Sequence, residues 1–141
     1  MPTSQQYGWD GASVGVAILD SGIDFFQELR SGASQLVYSQ SFPSGGRSAR
    51  DIYGHGTHVA GIVSGSGNGS TGQGAVFTFR GIAPAVNLIN LSVLGKSGSG
   101  TDGAVIAAID RPIALKALHS RDEPLARPPG CGEHLRLPPR P

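Results

Sequence analysis

The chain has 141 residues, a net charge of +1 and a single cysteine, Cys131. That length suits one domain with a real core. The near-neutral charge excludes a polybasic surface for nucleic acid or membrane, and a lone cysteine excludes an internal disulfide framework. No apolar run is long enough to cross a bilayer. The opening MPTSQQYGWDG lacks a charged stretch followed by an apolar one, so no signal peptide is expected. Trp9 reads as an amino-terminal packing anchor.

VGVAILD, residues 14–20, is a nearly continuous apolar run rich in β-branched residues, which predicts a strand buried on both faces of a parallel sheet. It ends at Asp20, followed by a Ser-Gly turn. LVYSQSF, 36–42, predicts a second strand, and PSGGRSARD, 43–51, a loop. THVAGIVSG, 57–65, predicts a helix with Val59, Ile62 and Val63 on one side. SGNGSTGQG, 66–74, is a glycine-rich loop, and VFTFRGIAP, 76–84, an extended piece ending in a turn. VNLINLSVL, 86–94, predicts a third strand, and TDGAVIAAID, 101–110, a helix capped by Thr101 with Asp102 at its positive end. Strands alternating with helices give an α/β fold with a mostly parallel sheet.

Composition changes near residue 110. Residues 1–110 hold 20 of the 22 glycines and carry 5 basic against 7 acidic side chains. Residues 111–141 hold 7 of the 10 prolines and carry 6 basic against 3 acidic side chains. Proline removes backbone donors, so the second segment cannot build a sheet interior. The expected division is a structured unit over 1–110 and a Pro- and Arg-rich, disordered tail over 111–141.

Two residues stand out chemically. Asp20 sits at the carboxyl end of a buried strand, where open parallel sheets gather their ligands and catalytic groups. His55, in YGHGTHVAG, lies between two glycines at the start of a helix, and Gly54 and Gly56 let other groups approach the ring. A carboxylate bonded to one imidazole nitrogen fixes the tautomer and stabilises the imidazolium that forms when the other accepts a proton. Alone, either residue reads as a turn aspartate or a capping histidine. Together they read as two members of a Ser-His-Asp machine.

VGVAILDSGID and YGHGTHVAGIVSGSG resemble the aspartate and histidine motifs of the subtilisin-like serine proteases, the subtilases. GIAPAVNLINLSVLGKSGSGTDGAVIAAID is similar to the segment that follows in that family, so the likeness covers about 9–110. The resemblance implies the amino-terminal part of a three-layer α/β catalytic domain and serine-type endopeptidase chemistry. In it, Asp20 orients, His55 is the general base, and Gly98, Ser99 and Gly100 pair with the backbone of a polypeptide substrate. It also implies secretion, requires no cofactor, and leaves oligomeric state open. Subtilases often bind calcium, but SGSGNGSTGQG offers few carboxylates and no site is assigned.

The family's nucleophile lies in a Gly-Thr-Ser-Met-Ala type motif, which this sequence does not contain, and no serine is read in a G-x-S-x-G setting. A carboxylate–imidazole pair without a nucleophile makes no acyl-enzyme, so the chain alone is expected to be inactive. The tail suggests an origin. RDEPLARPP, 121–129, can be encoded so that reading one base later gives Val-Met-Asn-Leu-Ser-Leu-Gly-Arg-Pro, the kind of strand that follows this helix in the family. Out-of-frame translation is the expected source, with a natural disordered tail as the alternative.

Competing readings come from other motifs. GSGTDG, 98–103, matches G-x-G-x-x-G between a predicted strand and helix, with Asp122 and Glu123 about twenty residues on, as in a dinucleotide-binding module. The acid should end a second strand, however, and this one lies among prolines. A non-catalytic remnant is the third class, and it predicts exposed apolar patches. GKS, 95–97, has Asn90 where a phosphate loop needs glycine. His55 and His58 are spaced three apart, whereas zinc helices need four and a glutamate, so His58 is expected to pack on its helix. Cys131 and His134 have no second ligand pair.

Overall fold

The structure is a computed structural model that describes residues 8–24, 26–29, 36–43 and 48–119. Three strands, β1 (Gly15–Asp20), β2 (Leu36–Ser41) and β3 (Asn87–Ser92), form one parallel sheet in the order β1-β3-β2. Each lies within a predicted strand. β3 is central, so its side chains are the most deeply buried. Its register aligns Ser92 with Asp20 on one side and Ser41 on the other. All three carboxyl ends therefore reach the same edge.

Helix α1 (His55–Ser64) covers one face and α2 (Asp102–His119) the other. Side chains alternate across a strand, and the core divides accordingly. Ile18 and Leu88 pack with Ala60 of α1, Ile23, Leu29 and Val86. Leu91 and Val93 pack with Ala104 and Ala108 of α2, with Ala17, Leu19 and Ile89 against them. This is a partial three-layer α/β arrangement.

α1 begins two residues earlier than predicted. Gly54 adopts a left-handed conformation, φ 96°, and the helix starts directly after it at His55. At its other end, the N–H groups of Gly81, Ile82 and Ala83 bond to the carbonyls of Gly65, Ile62 and Val63. Residues 76–84 thus serve the carbonyls a helix end leaves over and form no strand. Val76, Phe77, Phe79 and Ile82 there are exposed.

α2 is capped as expected, with Ala104 N–H donating to Thr101 Oγ1 at 3.3 Å. It continues past the boundary placed at 110, through Pro112 to His119. One proline removes one helical hydrogen bond, while IALKAL, 113–118, is rich in strong helix formers. Exclusion from a sheet interior is not exclusion from a helix, and the first nine residues of the segment read as tail are helical. Ile106, Ile109 and Ile113 form an exposed stripe on α2. Trp9, expected to anchor the amino terminus, is 71% exposed, and His58, expected to pack, is also exposed.

Candidate active site

β1 delivers Asp20 to the sheet edge, and the first residue of α1 brings His55 to meet it. His55 Nδ1 lies 2.9 Å from Asp20 Oδ1 and 2.8 Å from Oδ2 across 35 residues of sequence. An ionised carboxylate only accepts, so Nδ1 donates to it, and in the neutral imidazole that leaves the lone pair on Nε2. The Asp20 side chain is 13% exposed and that of His55 58%, so the acid is sheltered and the base is open to a reactant. The main chain of Asp20 is also fixed, its carbonyl accepting the N–H groups of Val93 and Leu94.

The glycines flanking His55 serve different ends. A Cβ on Gly54 would meet open space, so its need for glycine is the positive φ. A Cβ on Gly56 would collide with the Gly22 carbonyl oxygen and lie 3.1 Å from Asp20 Cβ. That close approach lets the start of α1 dock on the end of β1.

Two groups escaped the sequence reading. Asp51, placed at the end of a loop, is buried beneath the start of α1. It accepts Gly54 N–H at 2.7 Å, Thr57 N–H at 2.8 Å and the Ser21 hydroxyl at 2.7 Å. Burial raises its pKa, but the bonds from Thr57, Ser21 and Gly54 outweigh this and hold it below the usual carboxylate value. Ser21, also buried, accepts Gly56 N–H at 3.0 Å, and its amide donates to Asp20 Oδ1 at 2.7 Å.

Gly98, Ser99 and Gly100 lie in the loop between β3 and α2. Gly98 adopts φ 73°, and a Cβ there would lie 2.5 Å from the ring of Tyr53, two residues before His55. Gly98 N–H and Ser99 C=O are engaged within the loop, with Gly95 as partner to both, and Gly100 bridges to Leu94. The chain's own atoms thus account for these glycines without a dinucleotide, and Asp122 and Glu123 lie outside the described residues.

Among the described residues, no hydroxyl hydrogen-bonds His55 Nε2. One serine does stand in a G-x-S-x-G spacing, Ser13 between Gly11 and Gly15. It has an unusual positive φ of 66°, but precedes β1, whereas Asp20 ends it. Roughly 3.3 Å per strand residue puts Ser13 at the opposite edge of the sheet from His55.

The start of the 66–74 loop is tied to Glu28. Gly67 and Gly69 point their N–H groups at the Glu28 carboxylate, Gly67 at 2.8 Å, and Ser66 Oγ donates to it at 3.1 Å. Among the described residues, no three His, Cys, Asp or Glu side chains cluster as metal ligands.

The parallel sheet thus presents a carboxylate–imidazole couple at its carboxyl edge, where open α/β sheets gather their functional groups. The Subtilase family sequence pattern matches residues 11–122, and the chain belongs to that family. It is 35% identical over 141 aligned positions to Serine protease AprX of Bacillus subtilis (strain 168), covering 83% of this chain and 29% of the relative. It is 40% identical over 107 positions to Subtilisin DY of Bacillus licheniformis, covering 75% and 35%. The crystal structure of a cold adapted subtilisin-like serine proteinase superimposes with a TM-score of 0.57 at 32% identity, covering 72% of this chain and 32% of that one. The chain spans about a third of the length of these relatives. Like α2, the family match continues beyond residue 110.

Proposed function

We propose that this chain carries the acid-and-base half of a serine endopeptidase site. Asp20 orients and charge-balances His55, whose Nε2 takes a proton from a serine hydroxyl and returns it to the leaving amine. The observation that supports this is the contact of both Asp20 carboxylate oxygens with Nδ1, which leaves Nε2 on an exposed ring. A polypeptide substrate would lie along Gly98, Ser99 and Gly100, beside Tyr53. Secretion follows from the same reading; among the described residues, no helix is long and apolar enough to cross a membrane.

The hydroxyl and oxyanion donors belong to sequence other than these 141 residues. That further sequence would also cover Ile106, Ile109 and Ile113 on α2. By itself the chain is inactive in this reading. The test adds a polypeptide carrying the serine-bearing remainder of a subtilase domain. A fluorophosphonate probe should leave the 141-residue chain unlabelled and label the added polypeptide only in the mixture, with labelling abolished by His55→Ala. Stoichiometric labelling of this chain alone would show a nucleophile within it.

A further inference from the structure

We infer that Asp51 is a positioning residue for the Asp20–His55 couple, acting through the Ser21 hydroxyl. The inference rests on the peptidase reading for what the couple does, but not for the geometry.

Ser21 Oγ has one proton to give and lies between two carboxylates, 2.7 Å from Asp51 Oδ1 and 3.2 Å from Asp20 Oδ1. The shorter contact takes the proton, and a lone pair of the same oxygen accepts Gly56 N–H. Asp51, kept ionised by its donors, therefore holds the Ser21 proton away from Asp20. Asp20 Oδ1 is left with the Ser21 amide and the His55 ring as donors. Asp20 thus keeps its contacts with His55 without taking up the Ser21 hydroxyl proton.

The same two side chains fix where the imidazole stands. Gly54, Gly56 and Thr57 bracket His55, and all three N–H groups end on Asp51 or Ser21. These are orphan donors of the helix start, gathered onto an anion joined by one hydroxyl to the end of β1. The path from Asp51 through Ser21 to Asp20 therefore ties the residue that supplies the carboxylate to the turn that supplies the ring. A simple helix cap would need the bonds to Gly54 and Thr57 but not Ser21.

The test uses the full 141-residue chain, ¹⁵N-labelled, as Ser21→Ala, Asp51→Asn and the double variant. The readouts are solvent exchange of the His55 Nδ1 proton and helix content by circular dichroism. Each single substitution should speed exchange about tenfold, the scale of one charge-assisted hydrogen bond. The double variant should be no faster than the faster single one, because both break the same path. Ser21→Ala should leave helix content unchanged. If Ser21→Ala leaves the exchange rate unchanged, or the two effects multiply, Asp51 is only a cap and the inference fails. If Asp51→Asn does not fold, Ser21→Ala decides alone, since it leaves the Gly54 and Thr57 bonds in place. No substrate is involved, so failure of the peptidase reading would show separately, as absence of labelling in the mixture.

Discussion

Gly56 rests directly on the carbonyl oxygen of Gly22, so closely that no side-chain carbon fits between them. Gly56→Ala should force α1 away from the end of β1. Overpacking at such a contact costs about 1–3 kcal/mol, read as a lower denaturant midpoint, and should loosen the Asp20–His55 bond as well.

Gly54→Ala should also destabilise, for a different reason. Nothing lies near its Cβ position, but φ is 96°. A left-handed alanine costs about 1–2 kcal/mol. The substitution should shift the unfolding midpoint while leaving the Asp20–His55 contact assembled in the folded fraction, seen in the imidazole signals. The contrast between the two glycines separates conformational need from close packing.

Asp51 gives a pH dependence. Its folded-state pKa lies below the ordinary value because the hydrogen bonds outweigh burial. The stability it supplies is present above about pH 4, the ordinary aspartate value, and is lost as pH falls through the lower folded-state value. Amide exchange at Gly54 and Thr57 should accelerate over that acid range. Asp51→Asn should show faster exchange throughout and no such acid step.

Glu28→Ala should release the 66–69 loop, leaving the Gly67 and Gly69 N–H groups without their carboxylate. A lost hydrogen bond to a charged group is worth about 1.5–3 kcal/mol. Faster exchange of those two amides and faster proteolytic nicking between 66 and 80 are the expected results.

Pro112 lies inside α2. Pro112→Ala should restore a helical donor and remove a ring clash, worth about 3 kcal/mol in a helix interior. Increased helix content and a higher melting temperature would support a continuous helix to His119.

Much of this architecture was legible in local patterns. β1 was visible as a nearly continuous apolar run, whereas β2, LVYSQS, has no buried residue and showed only its apolar start. Asp20 was legible as a polar residue ending such a run, and His55 through its glycines. Asp51 was not, because its role depends on backbone N–H groups and on Ser21, 30 residues away, and letters do not display those bonds. The end of α2 was misplaced because proline was weighed as a breaker while the helix formers after it were not. Ser13 teaches the reverse lesson. Its spacing matches a nucleophile motif, yet a turn that precedes a strand puts it at the sheet edge far from the base.

The tautomer of His55 tests the central claim most directly. In ¹H–¹⁵N spectra recorded at about pH 9, above the ordinary imidazole range, the chain should show Nδ1 protonated and bonded to Asp20, with Nε2 bare. Asp20→Asn should abolish that preference. A wild-type imidazole protonated at Nε2, or one unchanged by Asp20→Asn, would contradict the account.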